Sequence, residues 1–158
     1  MKAQPYGVVS AEVLASQDGL SFLQGILTGR LPSPPIARTL AFRLVAVEHG
    51  RAVFEGEPRA EFYNPLGSVH GGYTATLLDS AAACAVHSTL AKGEFYTSVE
   101  LNTNFVRPIG NASGLLRAEG SIIHRGRTVA VAQAQLKDGA GKLYAHATTT
   151  CMIFPAKG

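Results

Sequence analysis

The segment from about Gly72 to Leu90 limits the possible fold more than any other part of the chain. It carries Ala75, Ala81, Ala82, Ala83 and Ala85 among Leu77, Leu78 and Val86. Small and unbranched residues at this density predict a helix. Side chains that are small all round let neighbouring elements come close to the backbone, so the helix is expected at the centre of the fold. Gly93 is read as closing it. Strand after strand follows: Phe95 to Val106 ending at Arg107-Pro108, Gly114 to His124, Thr128 to Leu136 and Leu143 to Phe154. Arg125-Gly126 and Asp138-Gly139-Ala140-Gly141 supply the turns. Val99, Leu101, Thr103 and Phe105 alternate with Ser98, Glu100, Asn102 and Asn104, the period of a half-buried strand.

Ahead of the central helix, Ala41 to Glu48 and Ala52 to Gly56 read as two strands joined at His49-Gly50. A loop rich in turn formers runs from Pro58 to Gly72. A shorter leading helix is expected around Asp18 to Thr28, where Leu20, Leu23, Ile26 and Leu27 share one face. Gly29 is its C-terminal cap, and the prolines of Leu31-Pro32-Ser33-Pro34-Pro35 stop any continuation. Short links make the strands antiparallel neighbours, and one long helix against one sheet is an α+β layer pair. The expectation is a curved antiparallel sheet wrapped around a central helix, with an extra N-terminal helix. The whole chain, 1–158, is read as one domain, with 1–39 as a helical extension and 40–154 as the core.

Composition narrows the function classes. Hydrophobic residues make up 46% and charged residues 16%, which argues against disorder and leaves apolar surface for an oligomer to cover. The net charge of +3 comes from scattered arginines with no polybasic block, which favours a small anionic ligand over a nucleic acid. Met1 to Gly7 lacks the apolar core of a signal peptide, and no run of about 18 apolar residues exists to span a membrane. Cys84 and Cys151 lie far apart, with no CxxC and no zinc-ligand spacing. They read as buried thiols in a reducing compartment, so the cytoplasm is the expected location.

The chemistry concentrates where the loop becomes the helix. Gly71 and Gly72 fall among the first helical N–H groups, which no helical carbonyl can accept, and without side chains they admit a ligand carbonyl. The positive end of the helix dipole points the same way, so this is a ready site for the oxyanion of acyl transfer. A plain tight turn would use the same glycines. Asp79 sits mid-helix among Leu77, Leu78, Ala81 and Ala82, where a carboxylate gains nothing from helix propensity and loses solvation if buried. A shifted pKa and a catalytic role follow if it is buried; an ordinary solvated aspartate is the alternative. Asp79 lies eight positions after Gly71, roughly 12 Å along a helix axis. If both act on one substrate, they must come from two chains, and the site requires a dimer. His70, just before the helix, holds a loop group or contacts the ligand, and no neighbour makes it part of a triad. Arg125-Gly126-Arg127-Thr128 is a turn suited to phosphates, or equally to solvent. No GxSxG elbow and no glycine-rich phosphate loop is present.

Asn64, the run Gly67-Ser68-Val69-His70-Gly71-Gly72, Leu77-Leu78-Asp79 and Ser98-Val99-Glu100-Leu101-Asn102 resemble the PaaI-type hotdog-fold acyl-CoA thioesterases. Phe105-Val106-Arg107-Pro108, Gly126-Arg127-Thr128 and Asp138-Gly139-Ala140-Gly141-Lys142 continue the likeness in order, so that it covers about 40–154. The resemblance implies hydrolysis of acyl-CoA thioesters by dimers or tetramers, without cofactor or metal. It implies that the Gly71 N–H polarises the thioester carbonyl and that Asp79 of the partner chain is general base or nucleophile. Asn64 and His70 would orient the thioester, Ser98 would help position water, and Gly72 with Arg125 to Thr128 would face the CoA. Two other functions remain open: a hotdog hydratase or dehydratase, which needs an acid and a His as a pair, and a non-catalytic acyl-CoA binding module, which has no use for a buried carboxylate.

Overall fold

The computed structural model describes residues 5–156. Three short helices lead: α1 (Ala11–Ala15), α2 (Gly19–Leu27) and α3 (Pro35–Thr39). Then come β1 (Phe42–Glu48), β2 (Arg51–Gly56), α4 (Gly71–His87), β3 (Glu94–Phe105), β4 (Leu116–Arg125), β5 (Val129–Asp138) and β6 (Leu143–Pro155). The six strands form one antiparallel sheet in the order β1-β2-β4-β5-β6-β3, and α4 packs across its inner face, mainly on β4, β2, β5 and β6. Leu77, Leu78, Leu116 and Leu136 are fully buried at this seam, each contributing roughly 1.5–3 kcal/mol by burial.

Local chemistry explains the boundaries. Asp18 caps α2 by accepting the Ser21 N–H at 2.9 Å. The β1–β2 turn uses Gly50 at φ 77, where a side chain would be strained. Ala41, expected at the head of β1, takes φ 48 and so stands outside the strand. Helix and sheet touch most closely at Gly120 of β4, where an added Cβ would lie 2.1 Å from the Ala81 carbonyl oxygen. The small residues of α4 and this glycine are two halves of one contact.

Four expectations need correction. Pro35 does not only stop the preceding segment: it opens α3, because a proline at the first helical position lacks only an N–H that would be unpaired anyway. Gly93 does not cap α4, which ends at His87 with Ser88 as cap; at φ 82 it turns the chain into β3. The alternation read in β3 breaks at a bulge between Ser98 and Glu100, which throws Val99 out of phase. Ser98, Leu101, Thr103 and Phe105 face inward, yet Leu101 and Phe105 stay 37% and 58% exposed, because β3 is an edge strand that α4 covers far less than it covers β4, β2 or β5. Of the two cysteines, Cys151 is buried and Cys84 is half-buried as a residue, with its thiol group turned into the enclosed side.

The leading helices close the far end of the core. The Gly19 N–H donates to the Leu90 carbonyl at 2.9 Å, and Phe22 stacks on His87 with ring centres 5.1 Å apart. Met1 to Gly7, read above for targeting, falls partly outside the described residues.

Candidate active site

The site grows from the two ends of one helical stretch of α4. At its head, His70 is the N-cap: its Nδ1 accepts the Gly72 N–H at 2.8 Å, while its carbonyl accepts the Tyr73 N–H. Nδ1 as acceptor leaves the proton of the neutral ring on Nε2, which faces outward. Among the described residues nothing accepts the Gly71 N–H. Gly71 borders a cavity of about 320 Å³ whose lining also includes Asn64, Thr74, Phe105 and Arg107. The helix dipole adds positive potential there. Asn64 shapes the loop: its Oδ1 accepts from the N–H groups of Leu66 and Ser68, and its Nδ2 donates to Ser68 Oγ at 3.0 Å.

Two turns along, Asp79 lies on the stripe of α4 that the sheet leaves uncovered, beside half-buried Thr76 and Ser80. Ser98 Oγ on β3 donates to Asp79 Oδ1 at 3.3 Å and also lies 3.8 Å from Cys151 Sγ. Partial burial raises the carboxyl pKa above the ordinary aspartate range, and the Ser98 hydrogen bond offsets part of that rise. The thiol of Cys84, one turn further along the helix, is pushed up to about 12 by burial and by the Asp79 charge. Both thiols are therefore protonated neighbours, not nucleophiles. His87 follows on the same side of α4, between the rings of Phe22 and Tyr96, and burial holds its pKa down to about 4. It stays neutral at physiological pH.

The structure thus brings Asn64, His70, Gly71 and Gly72 to one place and Asp79 with Ser98 to another. The turn expected to meet phosphates is elsewhere. Arg125 reaches Glu94 at 2.7 Å and Thr89 Oγ1 at 3.1 Å, beyond the C-terminal end of α4, and also donates to the Gly126 carbonyl. Arg127 and Thr128 are exposed beside it. Gly72, expected to face the CoA, already has its N–H on His70. Arg107, Phe105 and Cys151 had no assigned role from the sequence. The first two sit in Phe105-Val106-Arg107-Pro108, a signal that was present, whereas the Ser98–Cys151 contact depends on strand register alone. A larger cavity of about 610 Å³ lies on the outer face of the sheet among Glu55, Arg117, Glu119 and Lys137. It receives no group from α4; of its charges Arg117 pairs with Glu55, and Glu119 pairs with Arg51. Among the described residues no cluster of three or more metal-ligating side chains occurs.

The chain is similar to several known proteins. The family model described as the thioesterase superfamily matches residues 66–145. The 1,4-dihydroxy-2-naphthoyl-CoA hydrolase of Listeria monocytogenes is 28% identical over 68% of this chain and 86% of its own. Human acyl-coenzyme A thioesterase 13 is 30% identical over 68% of this chain and 76% of its own. Among solved structures, the phenylacetic acid degradation-related protein of Ralstonia eutropha JMP134 is 35% identical, with a TM-score of 0.75 over 83% of this chain and 98% of that one.

Proposed function

Because the chain belongs to the thioesterase superfamily and is a thioester hydrolase of the hotdog fold, we propose that it cleaves acyl-CoA to the free acid and CoA in a site shared by two chains. The observation that carries this reading is the division of labour along α4. An unaccepted N–H stands at Gly71, a carboxylate with a raised pKa stands at Asp79, and roughly 12 Å of helix separates them. One thioester cannot touch both within a chain. The exposed β3 edge offers the means of pairing: its outer row of N–H and C=O groups is uncovered, and Val99, Leu101 and Phe105 leave apolar surface along it. A two-fold axis beside β3 brings the head of one α4 towards the middle of the other.

In that arrangement the Gly71 N–H donates to the thioester oxygen and stabilises the oxyanion that forms on attack. Asp79 of the partner takes a proton from water as the water oxygen bonds to the thioester carbon; the C–S bond then breaks, and the CoA sulfur takes that proton and leaves as the thiol. Direct attack by Asp79, with hydrolysis of the resulting anhydride, uses the same geometry. Ser98 fixes the carboxylate, and Asn64 and His70 hold the loop and the helix head in place. His70 Nδ1 is already engaged by the Gly72 N–H, which disfavours its use as the base of a hydratase's acid–histidine pair. The names of the two relatives, a naphthoyl-CoA hydrolase and an acyl-coenzyme A thioesterase, support CoA thioesters as the substrate class. Val129, Met152 and Phe154 form an apolar patch on the outer sheet face, which supports pairing of dimers into a tetramer. CoA thioesters as substrates and two unpaired thiols favour a cytoplasmic enzyme.

The test is release of free thiol from a panel of aryl-, medium- and long-chain acyl-CoAs, with enoyl-CoA absorbance followed in parallel. Thiol release is expected. Change in enoyl absorbance without thiol release would make the protein a hydratase, and binding without either would make it a binding module.

A further inference from the structure

The arginines of this chain fall into two groups. Arg43 and Arg117 pair with Glu55, Arg51 with Glu48 and Glu119, Arg59 with Glu57 and Arg125 with Glu94. Arg107 belongs to the other group: among the described residues no carboxylate lies within ion-pair distance of it. It is also held in place. Its Nη1 donates to the Leu143 carbonyl at 2.6 Å, its backbone N–H and that of Val106 both donate to the Tyr144 carbonyl, and Pro108 fixes the backbone that follows. A guanidinium has five N–H donors, so four remain for a ligand.

The position of Arg107 gives this its meaning. It lines the same cavity as Gly71, together with the apolar Phe105 and Ile109. At about 320 Å³ this cavity lies near the lower end of the small-molecule range of roughly 300–1,000 Å³, room for a slender chain and not for a nucleotide. A thioester placed at Gly71 sends two things outward, its acyl group and its leaving-group arm. The arm is an amphipathic chain whose amide carbonyls and, further on, phosphates are acceptors only a donor can satisfy. A fixed, unpaired guanidinium in a mostly apolar channel suits such oxygens.

We propose that Arg107 anchors the CoA arm of the substrate, donating to an acceptor oxygen of the pantetheine chain or of the phosphates beyond it, and so sets substrate affinity without taking part in the bond-breaking step. This rests on the thioesterase reading of the same site. It adds a cationic contact at the strand end beside Gly71 to the one expected of the Arg125 to Thr128 turn, whose first guanidinium pairs with Glu94.

Arg107→Gln and Arg107→Lys test it, since the side chain is exposed and both variants are expected to fold. CoA binding is measured by calorimetry, which needs no turnover, and KM and kcat are measured with an acyl-CoA and with the corresponding acyl-pantetheine. For Arg107→Gln, Kd for CoA and KM for acyl-CoA should rise about ten-fold or more, with kcat within about two-fold of the parent. Arg107→Lys should recover part of the loss, because it restores the charge but not the fork. If the penalty persists with acyl-pantetheine, the acceptor is an amide carbonyl; if it disappears, the acceptor is a phosphate. An unchanged Kd and KM in folded Arg107→Gln overturns the proposal, as does a fall in kcat at constant KM. A parent that binds CoA but hydrolyses no thioester overturns the functional reading alone, since the calorimetric difference still reports on Arg107.

Discussion

Two inactive variants of this chain should restore each other. In Asp79→Ala the base is removed; in Gly71→Leu a side chain blocks the carbonyl position. The Cβ of such a leucine would lie 3.1 Å from Cζ of the Phe105 ring, which is largely exposed and can swing aside, so the disturbance stays local. The magnitude follows from the helix. Reacting groups must come within roughly 3–3.5 Å of one another, and the roughly 12 Å rise from Gly71 to Asp79 exceeds what a short aspartate side chain and one carbonyl can span. Each homomer should therefore fall by at least about 10²-fold. A two-fold dimer made of one chain of each kind holds one intact site and one doubly defective site. Random exchange at equal amounts makes about half the dimers mixed, so the mixture should recover about a quarter of the parent activity per chain. Purification through two different tags isolates the mixed dimer and raises the expectation to about half. Thiol release from one good acyl-CoA is the assay. A tag-verified mixed dimer no more active than its homomers, or a sedimenting monomer with full activity, refutes the shared site.

Other substitutions probe the site and its frame. Asp79→Asn should lower kcat by at least about 10²-fold while raising the melting temperature at neutral pH. The sign follows from the raised pKa: ionised Asp79 costs the folded state stability, so the gain grows as pH rises from the ordinary carboxylate range through the raised value and disappears at lower pH. An Asn variant that melts below the parent at neutral pH refutes this. Ser98→Ala removes the bond that favours the carboxylate, so the acidic limb of the kcat/KM profile should move to higher pH; a limb that stays put or moves down removes Ser98 from the site. The Tyr73 hydroxyl is buried with no hydrogen-bond partner among the described residues, and burial pushes its pKa up to about 12. Tyr73→Phe should then leave stability unchanged or raise it by about 1 kcal/mol in chemical denaturation, and a clear loss would reveal a partner. Gly120→Ala puts a methyl 2.1 Å from the Ala81 carbonyl oxygen and should cost about 1–3 kcal/mol or more, readable as a lower denaturation midpoint.

Some of this protein was decided by local sequence. A helix of alanines with no large face had to lie in a sheet, because only close backbone approach could bury it, and Gly120 answers that need from β4. Asp79 stood out because a carboxylate in such a helix meets apolar neighbours wherever the helix is placed. Its distance from Gly71 is a property of helical rise alone, so the separation behind the proposed two-chain site could be read before any fold was known. Other features depended on which distant residues meet. Ser98 reaches Asp79 only because the β3–β6 register sets Ser98 opposite Cys151, 53 residues away, and because the bulge follows it and does not precede it. That same bulge and the edge position of β3 left its apolar residues uncovered, which a two-residue period cannot foresee. Arg125 and Arg107 look alike as exposed turn or strand-end arginines. Glu94 comes to rest beside one and no described carboxylate beside the other, because the path of the chain from the end of α4 into β3 brings Glu94 alongside the end of β4. Motif and periodicity act over a few residues and fix which groups a helix or strand can offer, whereas charge pairing and strand register join residues far apart in sequence and are settled only when the sheet closes on α4.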